Sequence, residues 1–211
     1  MDAILRRDFG FLLAATLSLL AGMLLSTAFA FAEDNVDPTV GETAWGNYVA
    51  DAMCVHYKCD AAVIDAATLS TLATKEALSE TRTRLDIAEV EVVTVQLKGS
   101  ELAVVLNNAV KFFPRKNNGF LQISGMVVSL DPSLRQDKVT GVTIGGAPLL
   151  AEKYYRIAAT KFLANGGASF GILENVEVVD GSTRFVGDLI ADYYGVNPAM
   201  PPVGGRYVVK D

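Results

Sequence analysis

A single histidine, His56, and two cysteines, Cys54 and Cys59, are the whole supply of imidazole and thiol in 211 residues. One imidazole cannot populate a multi-histidine metal centre, and it leaves most histidine-based catalytic triads without their base. Two cysteines cannot build a zinc site alone, and the C-x-H-x2-C spacing of Cys54, His56 and Cys59 lacks a fourth ligand. There is no run of like charges and no Lys/Arg stripe. With a net charge of −6 and a pI near 4.9, the chain lacks the basic face that nucleic-acid phosphates demand. No G-x-S-x-G elbow, P-loop or G-x-G-x-x-G is present, and Gly145-Gly146 reads as a hairpin turn. The acidic residues are scattered, so no carboxylate pair can be assigned to one site from sequence.

What is present is a globular composition, 51% apolar and 20% charged, of a length that predicts one domain. Residues 9–32 carry no charge, Arg6 and Arg7 precede them, and the run ends in A-x-A spacing at Ala28/Ala30 and Ala30/Ala32. This predicts a secretory signal peptide over 1–32, and Arg6-Arg7-Asp8-Phe9 partly matches the twin-arginine pattern. The same run is long enough to span a bilayer, so an uncleaved anchor is the competing reading and the only route to membrane contact. Either way the remainder lies outside the cytoplasm, in a periplasm or the medium. Residues 33–40 read as a flexible lead-in and 41–211 as the domain. For Cys54 and Cys59, export permits a local disulfide; two separate thiols remain the alternative.

Along 43–57, apolar residues recur on one helical face, from Ala44 and Trp45 to Ala52 and Met53. Residues 61–64 predict a buried strand, and 66–85 are ambiguous. A β-branched strand over 91–97 precedes a helix over 101–113, with Ser100 as its cap and Pro114 as its stop. A strand over 120–130 is broken or bulged at Gly125. Strands follow at 139–144, 154–159 and 176–179, then a helix over 183–194 with Phe185, Leu189, Ile190 and Tyr193 inward and Gly195 ending it. A last strand covers 207–209. Strands that succeed one another directly, interleaved with helices, predict a mixed α/β (α+β) domain, with mixed sheets flanked by helices.

Two aromatics sit at loop entrances. Phe162 opens F-L-A-N-G-G-A-S-F, whose Asn165, Gly166 and Gly167 leave backbone open to close approach. Phe120 follows a polar loop at a strand start. Two rings on opposing loops could clamp a flat base; from spacing alone, two core phenylalanines are the plainer reading.

Five blocks alter that balance. G-E-T-A-W-G-N-Y-V-A-D-A-M at 41–53, V-Q-L-K-G-S-E-L at 95–102, G-F-L-Q-I-S-G at 119–125, F-L-A-N-G-G at 162–167 and G-R-Y at 205–207 occur in one order. Together they resemble the C-terminal, substrate-specificity domain of the 5'-nucleotidase family. The resemblance implies a domain that stacks a nucleotide base between two phenylalanines, here Phe120 and Phe162, beside the loop of Asn165, Gly166 and Gly167. It implies that hydrolysis belongs to a separate metallophosphoesterase holding two divalent metals, a domain whose D-x-H and G-N-H-E/D motifs are absent here. The expected partners are therefore an exported metallophosphoesterase chain and a nucleotide or nucleoside-like ligand, with no catalytic residue, metal or cofactor on this chain. The family's substrate-contacting Arg falls on Ser70 and its ribose-contacting Asp on Ala168, and its L-P-F-x-N has no counterpart near 88–92. Two rivals follow: a degenerate exported module with a structural or interaction role, and, last, an independent hydrolase using unrecognised residues.

Overall fold

A computed structural model describes residues 37–72 and 89–210. The expected signal segment, residues 33–36 of the lead-in and residues 73–85 of the ambiguous 66–85 stretch lie outside the described residues.

The expected mixed α/β architecture is found: two sheets with helices on their faces. Helix α1 (Ala44–Tyr57) starts at Thr43, whose hydroxyl accepts from Gly46 N–H at 2.9 Å. Strand β1 (Ala61–Asp65) is buried along its whole length. It runs parallel to β7 (Tyr154–Thr160) and antiparallel to β3 (Leu121–Ser124). Strand β2 (Glu91–Lys98) lies between β7 and β8 (Glu177–Phe185), giving the sheet order β3-β1-β7-β2-β8. The strand period of two divides this sheet's side chains between two cores. Ala61, Val63, Val93, Val95, Leu97, Ile157 and Ala159 face helix α3 (Gly99–Val110) and the second sheet. Ala62, Ile64, Val92 and Ala158 face α1 and helix α5 (Val186–Val196). Burial on both faces explains why β1 reads as an unbroken apolar run.

The expected break at Gly125 is a change of sheet. The strand after it, β4 (Met126–Leu130), pairs with β5 (Val139–Ile144) and with β9 (Tyr207–Val209), while β6 (Ala147–Pro148) completes the second sheet beyond β5. Gly125 turns at φ 76, and a Cβ there would lie 2.3 Å from the Asp60 carbonyl oxygen, so only glycine fits the corner.

Several boundaries depart from expectation; helix α3, expected to run to residue 113 with Pro114 as its stop, already ends at Val110. Helix α3 starts at Gly99, one residue ahead of the expected Ser100 cap, and the Glu101 carboxylate accepts from Lys98 N–H at 2.8 Å. Residues 183–185, expected in the last helix, extend β8 instead, because its pairing with β2 continues through a register shift to Glu91 opposite Phe185. Gly195 does not end α5, which continues to Val196. Of the ambiguous stretch, Ala66–Thr71 forms helix α2, capped by Asp65, which accepts from Thr68 N–H at 2.9 Å.

Candidate ligand site at the glycine-rich loop

Strand β7 delivers the chain into a four-residue helix, α4 (Lys161–Ala164), capped by the Thr160 hydroxyl accepting from Leu163 N–H at 3.2 Å. Leu163 and Ala164 are buried, which turns Phe162 outward; it is 54% exposed. Its ring rests on the loop that follows. A Cβ at Gly167 would lie 2.5 Å from both a Phe162 ring carbon and the Phe162 carbonyl oxygen. The glycine therefore seats the ring. Gly166 turns at φ 81, and the side chain of exposed Asn165 makes no hydrogen bond among the described residues. Two residues with side chains, Ala168 at φ 52 and Ser169 at φ 69, also adopt the left-handed region. The loop is pinned from α3, where Asn108 Nδ2 donates to Ser169 O at 2.9 Å.

Phe120 is placed differently. The preceding loop does meet the glycine-rich loop: a Cβ on Gly119 would sit 3.3 Å from Ala168 O and 3.5 Å from the Phe170 ring. The Phe120 ring turns inward, is 1% exposed, and lies 4.9 Å from the Tyr207 ring. Tyr207 in turn donates its hydroxyl to Leu121 O at 2.7 Å. Phe120 thus shares the core with Leu163 and Phe170, and only Phe162 has a face open to solvent. The structure thus presents one exposed ring, Phe162, and one buried ring, Phe120. The physical reason is that β3 enters the sheet directly after Phe120 and needs an apolar anchor there.

A second group of motif residues has a role that the sequence did not reveal. Glu42 Oε1 accepts from Asn47 Nδ2 at 2.7 Å and Gly204 N–H at 3.0 Å, and its Oε2 accepts from Arg206 and Tyr207 N–H at 3.1 and 3.2 Å. Gln122 accepts from Thr43 N–H at 2.9 Å and donates to Gly41 O at 2.7 Å. Arg206 donates to the Ile123 carbonyl and pairs with Asp51 at 2.7 Å. The first, third and last motif blocks are thus one polar latch. The only sequence signal was that those blocks carry Glu, Asn, Asp, Gln and Arg among apolar neighbours.

The family profile described as 5'-nucleotidase, C-terminal domain, matches residues 27–175. The chain belongs to the 5'-nucleotidase C-terminal domain family. Among solved structures, a 5'-nucleotidase precursor from Thermus thermophilus is 25% identical with TM-score 0.68, over 82% of this chain and 36% of that one. The NAD nucleotidase of Haemophilus influenzae is 13% identical with TM-score 0.62, over 80% and 33%. The sulfate thiohydrolase SoxB of Thermus thermophilus, solved with glycerol, is 19% identical with TM-score 0.58, over 82% and 35%. The last two show a shared fold. The chain thus spans roughly a third of each of these proteins, and no curated protein matches it.

Within this 5'-nucleotidase C-terminal domain, Ser70 lies exposed near the end of α2, its hydroxyl donating to Ala66 O at 2.7 Å. Ala168 offers no polar atom beyond its backbone. Neither replaces the charge of the family's Arg or Asp. Among the described residues, no group of three or more His, Cys, Asp or Glu could hold a metal ion. No helix among them is long and apolar enough to cross a membrane.

Proposed function

We propose that this chain is a nucleoside-recognising domain of an exported 5'-nucleotidase-type system, with phosphate-ester hydrolysis supplied by a metallophosphoesterase outside these 211 residues. The observation that carries the reading is the exposed Phe162 ring seated on Gly167. A base laid on that ring gains stacking energy of about 1–3 kcal/mol, and the unpartnered Asn165 side chain offers a donor and an acceptor to its edge. Phe120 packs in the core that also holds Leu163 and Phe170. Without an Arg at 70 or an Asp at 168, the phosphate and ribose contribute little, so base recognition dominates and affinity is weak, with a Kd on the order of 0.1–1 mM.

Calorimetric titration with adenosine, the other nucleosides and AMP tests this. Binding of a nucleoside about as tightly as its monophosphate supports it. No heat with any base at millimolar concentration refutes it. Turnover of AMP by the pure chain with manganese or zinc would overturn the division of labour.

The second reading, a degenerate module with a structural or interaction role, is favoured by the buried Phe120 together with Ser70 and Ala168. SoxB carries the same fold in a protein whose described substrate class is not a nucleotide. On this reading Phe162 covers a protein surface, and nucleoside titration stays silent.

A further inference from the structure

Helix α1 ends next to a pair of sulfurs. Cys54 lies in its last turn, and Cys59 follows the turn made by Lys58 at φ 48, just before β1. Backbone contacts lock this geometry: Cys59 N–H donates to Cys54 O at 3.3 Å, and the Cys54 thiol donates to Cys59 O at 3.2 Å. The two Sγ atoms are 2.9 Å apart, and both residues are partly exposed. A disulfide bond is about 2.05 Å long, so bonding requires the sulfurs to approach by about 0.9 Å.

The two thiols are not equivalent. Cys54 sits at the negative end of the α1 dipole, which disfavours a thiolate there. Hydrogen bonding to Cys59 and burial push its thiol further up. Cys59 is pushed the other way, because the Cys54 thiol and the Ala158 backbone N–H stabilise its thiolate. The lower-lying thiol attacks first in exchange chemistry, and the other then resolves.

We propose that Cys54 and Cys59 form a thiol–disulfide exchange site, with Cys59 as the nucleophile and Cys54 as the resolving thiol, that closes to a disulfide stapling the end of α1 to the start of β1. The oxidant is a small-molecule disulfide. The Cys59 thiolate attacks one of its sulfurs, the oxidant's S–S bond breaks, and the departing thiolate takes a proton. Cys54 then gives its proton to water and attacks Cys59 Sγ, which releases the second oxidant thiol. Two thiols are oxidised to one disulfide, and one oxidant disulfide is reduced to two thiols.

The test treats the reduced full-length chain with oxidised glutathione and follows intact mass and alkylation. Wild type is expected to lose the mass of two hydrogens, to hold no lasting adduct and to resist alkylation. Cys54→Ser is expected to trap one glutathione on Cys59, at least about tenfold faster than Cys59→Ser acquires one on Cys54. The oxidised chain should melt a few degrees above the reduced one. Two alkylatable thiols surviving in wild type after a control dithiol has closed overturns the proposal. So does equal adduct formation by the two serine variants, which removes the assigned order of attack.

Discussion

Arg206 Nη2 lies 2.7 Å from Asp51 Oδ2 and ties the entry to the last strand to the first helix, 155 residues earlier in the sequence. The two side chains are 18% and 20% exposed, and the other Asp51 oxygen accepts from the Ser124 hydroxyl at 2.5 Å. Each partner is held on a different element, and neither keeps much water, so removing one strands the other. Truncation of one member of a fully buried pair costs about 3–5 kcal/mol. The residual exposure here reduces that, and Arg206→Leu should destabilise by about 2–3 kcal/mol in urea unfolding. Adding Asp51→Asn should then cost less than its own single-variant penalty, because the pair is already broken. Strictly additive losses would show that the two residues do not act together.

The two phenylalanines should separate by what they change. Phe120 is core, and Phe120→Ala should cost about 3–5 kcal/mol through the cavity it leaves against Tyr207 and Phe170. Phe162 is half exposed, and Phe162→Ala should shift stability by less than about 1 kcal/mol while removing nucleoside heat in calorimetry. A Phe162→Ala protein that binds normally would take the platform away from the proposed function.

These contrasts mark how far the sequence could be read. Apolar and β-branched patterning placed β1, β2, β7 and α1, because each buries apolar residues on one or both faces. The motif blocks placed the glycine-rich loop and its aromatic. Whether Phe120 pointed into the loop or the core was not legible, since both positions suit an aromatic at a strand entrance, and Tyr207, more than eighty residues on, decides it. Likewise Gly125 reads as a bulge, while its true role depends on the Asp60 carbonyl, which lies just before another strand. Residues 183–185 favoured a helix locally, and pairing with Glu91 and Val92 drew them into β8. The polar latch was hidden for the same reason: Glu42 and Arg206 are meaningful only as neighbours, and no local pattern makes them so.

The loop itself carries backbone strain that can be measured. Ala168 and Ser169 hold φ of 52 and 69, a region costing a residue with a Cβ about 1–2 kcal/mol. Ala168→Gly should therefore stabilise the domain by about 0.5–1 kcal/mol, after glycine's extra unfolded-state entropy is subtracted. Ala168→Asp also tolerates this conformation better than alanine, and should tighten ribonucleoside binding through a contact the present chain lacks. Gly167→Ala should do the opposite to the site, since the new methyl would displace the Phe162 ring. Thermal melts and the same titrations check all three, and a destabilised Ala168→Gly would mean that the loop does not hold this conformation in solution.

The last strand supplies a pH-dependent term whose sign follows from one carboxylate. Lys210 pairs with Asp131 at 2.7 Å, and the Ser133 hydroxyl and N–H donate to the other oxygen at 2.5 and 3.0 Å. The Lys210 hydrogen bond first, then Ser133, holds the Asp131 carboxyl down from 3.8 to about 2. Between those values the folded chain stays ionised at this position while the unfolded chain takes up a proton, so protonation favours unfolding. The contribution is fully present above about pH 4 and disappears as pH falls through about 2. Asp131→Asn should thus lower the urea midpoint at pH 5 and have little effect at pH 2, giving a shallower loss of stability between the two. Because Lys210 N–H also donates to Leu130 O at 2.8 Å, the same variant should speed amide exchange at the end of β9 before it affects β4. An unchanged acid slope in Asp131→Asn would assign the acid sensitivity of the domain to other carboxylates, and equal exchange rates in the variant and the wild type would detach this pair from the anchoring of β9.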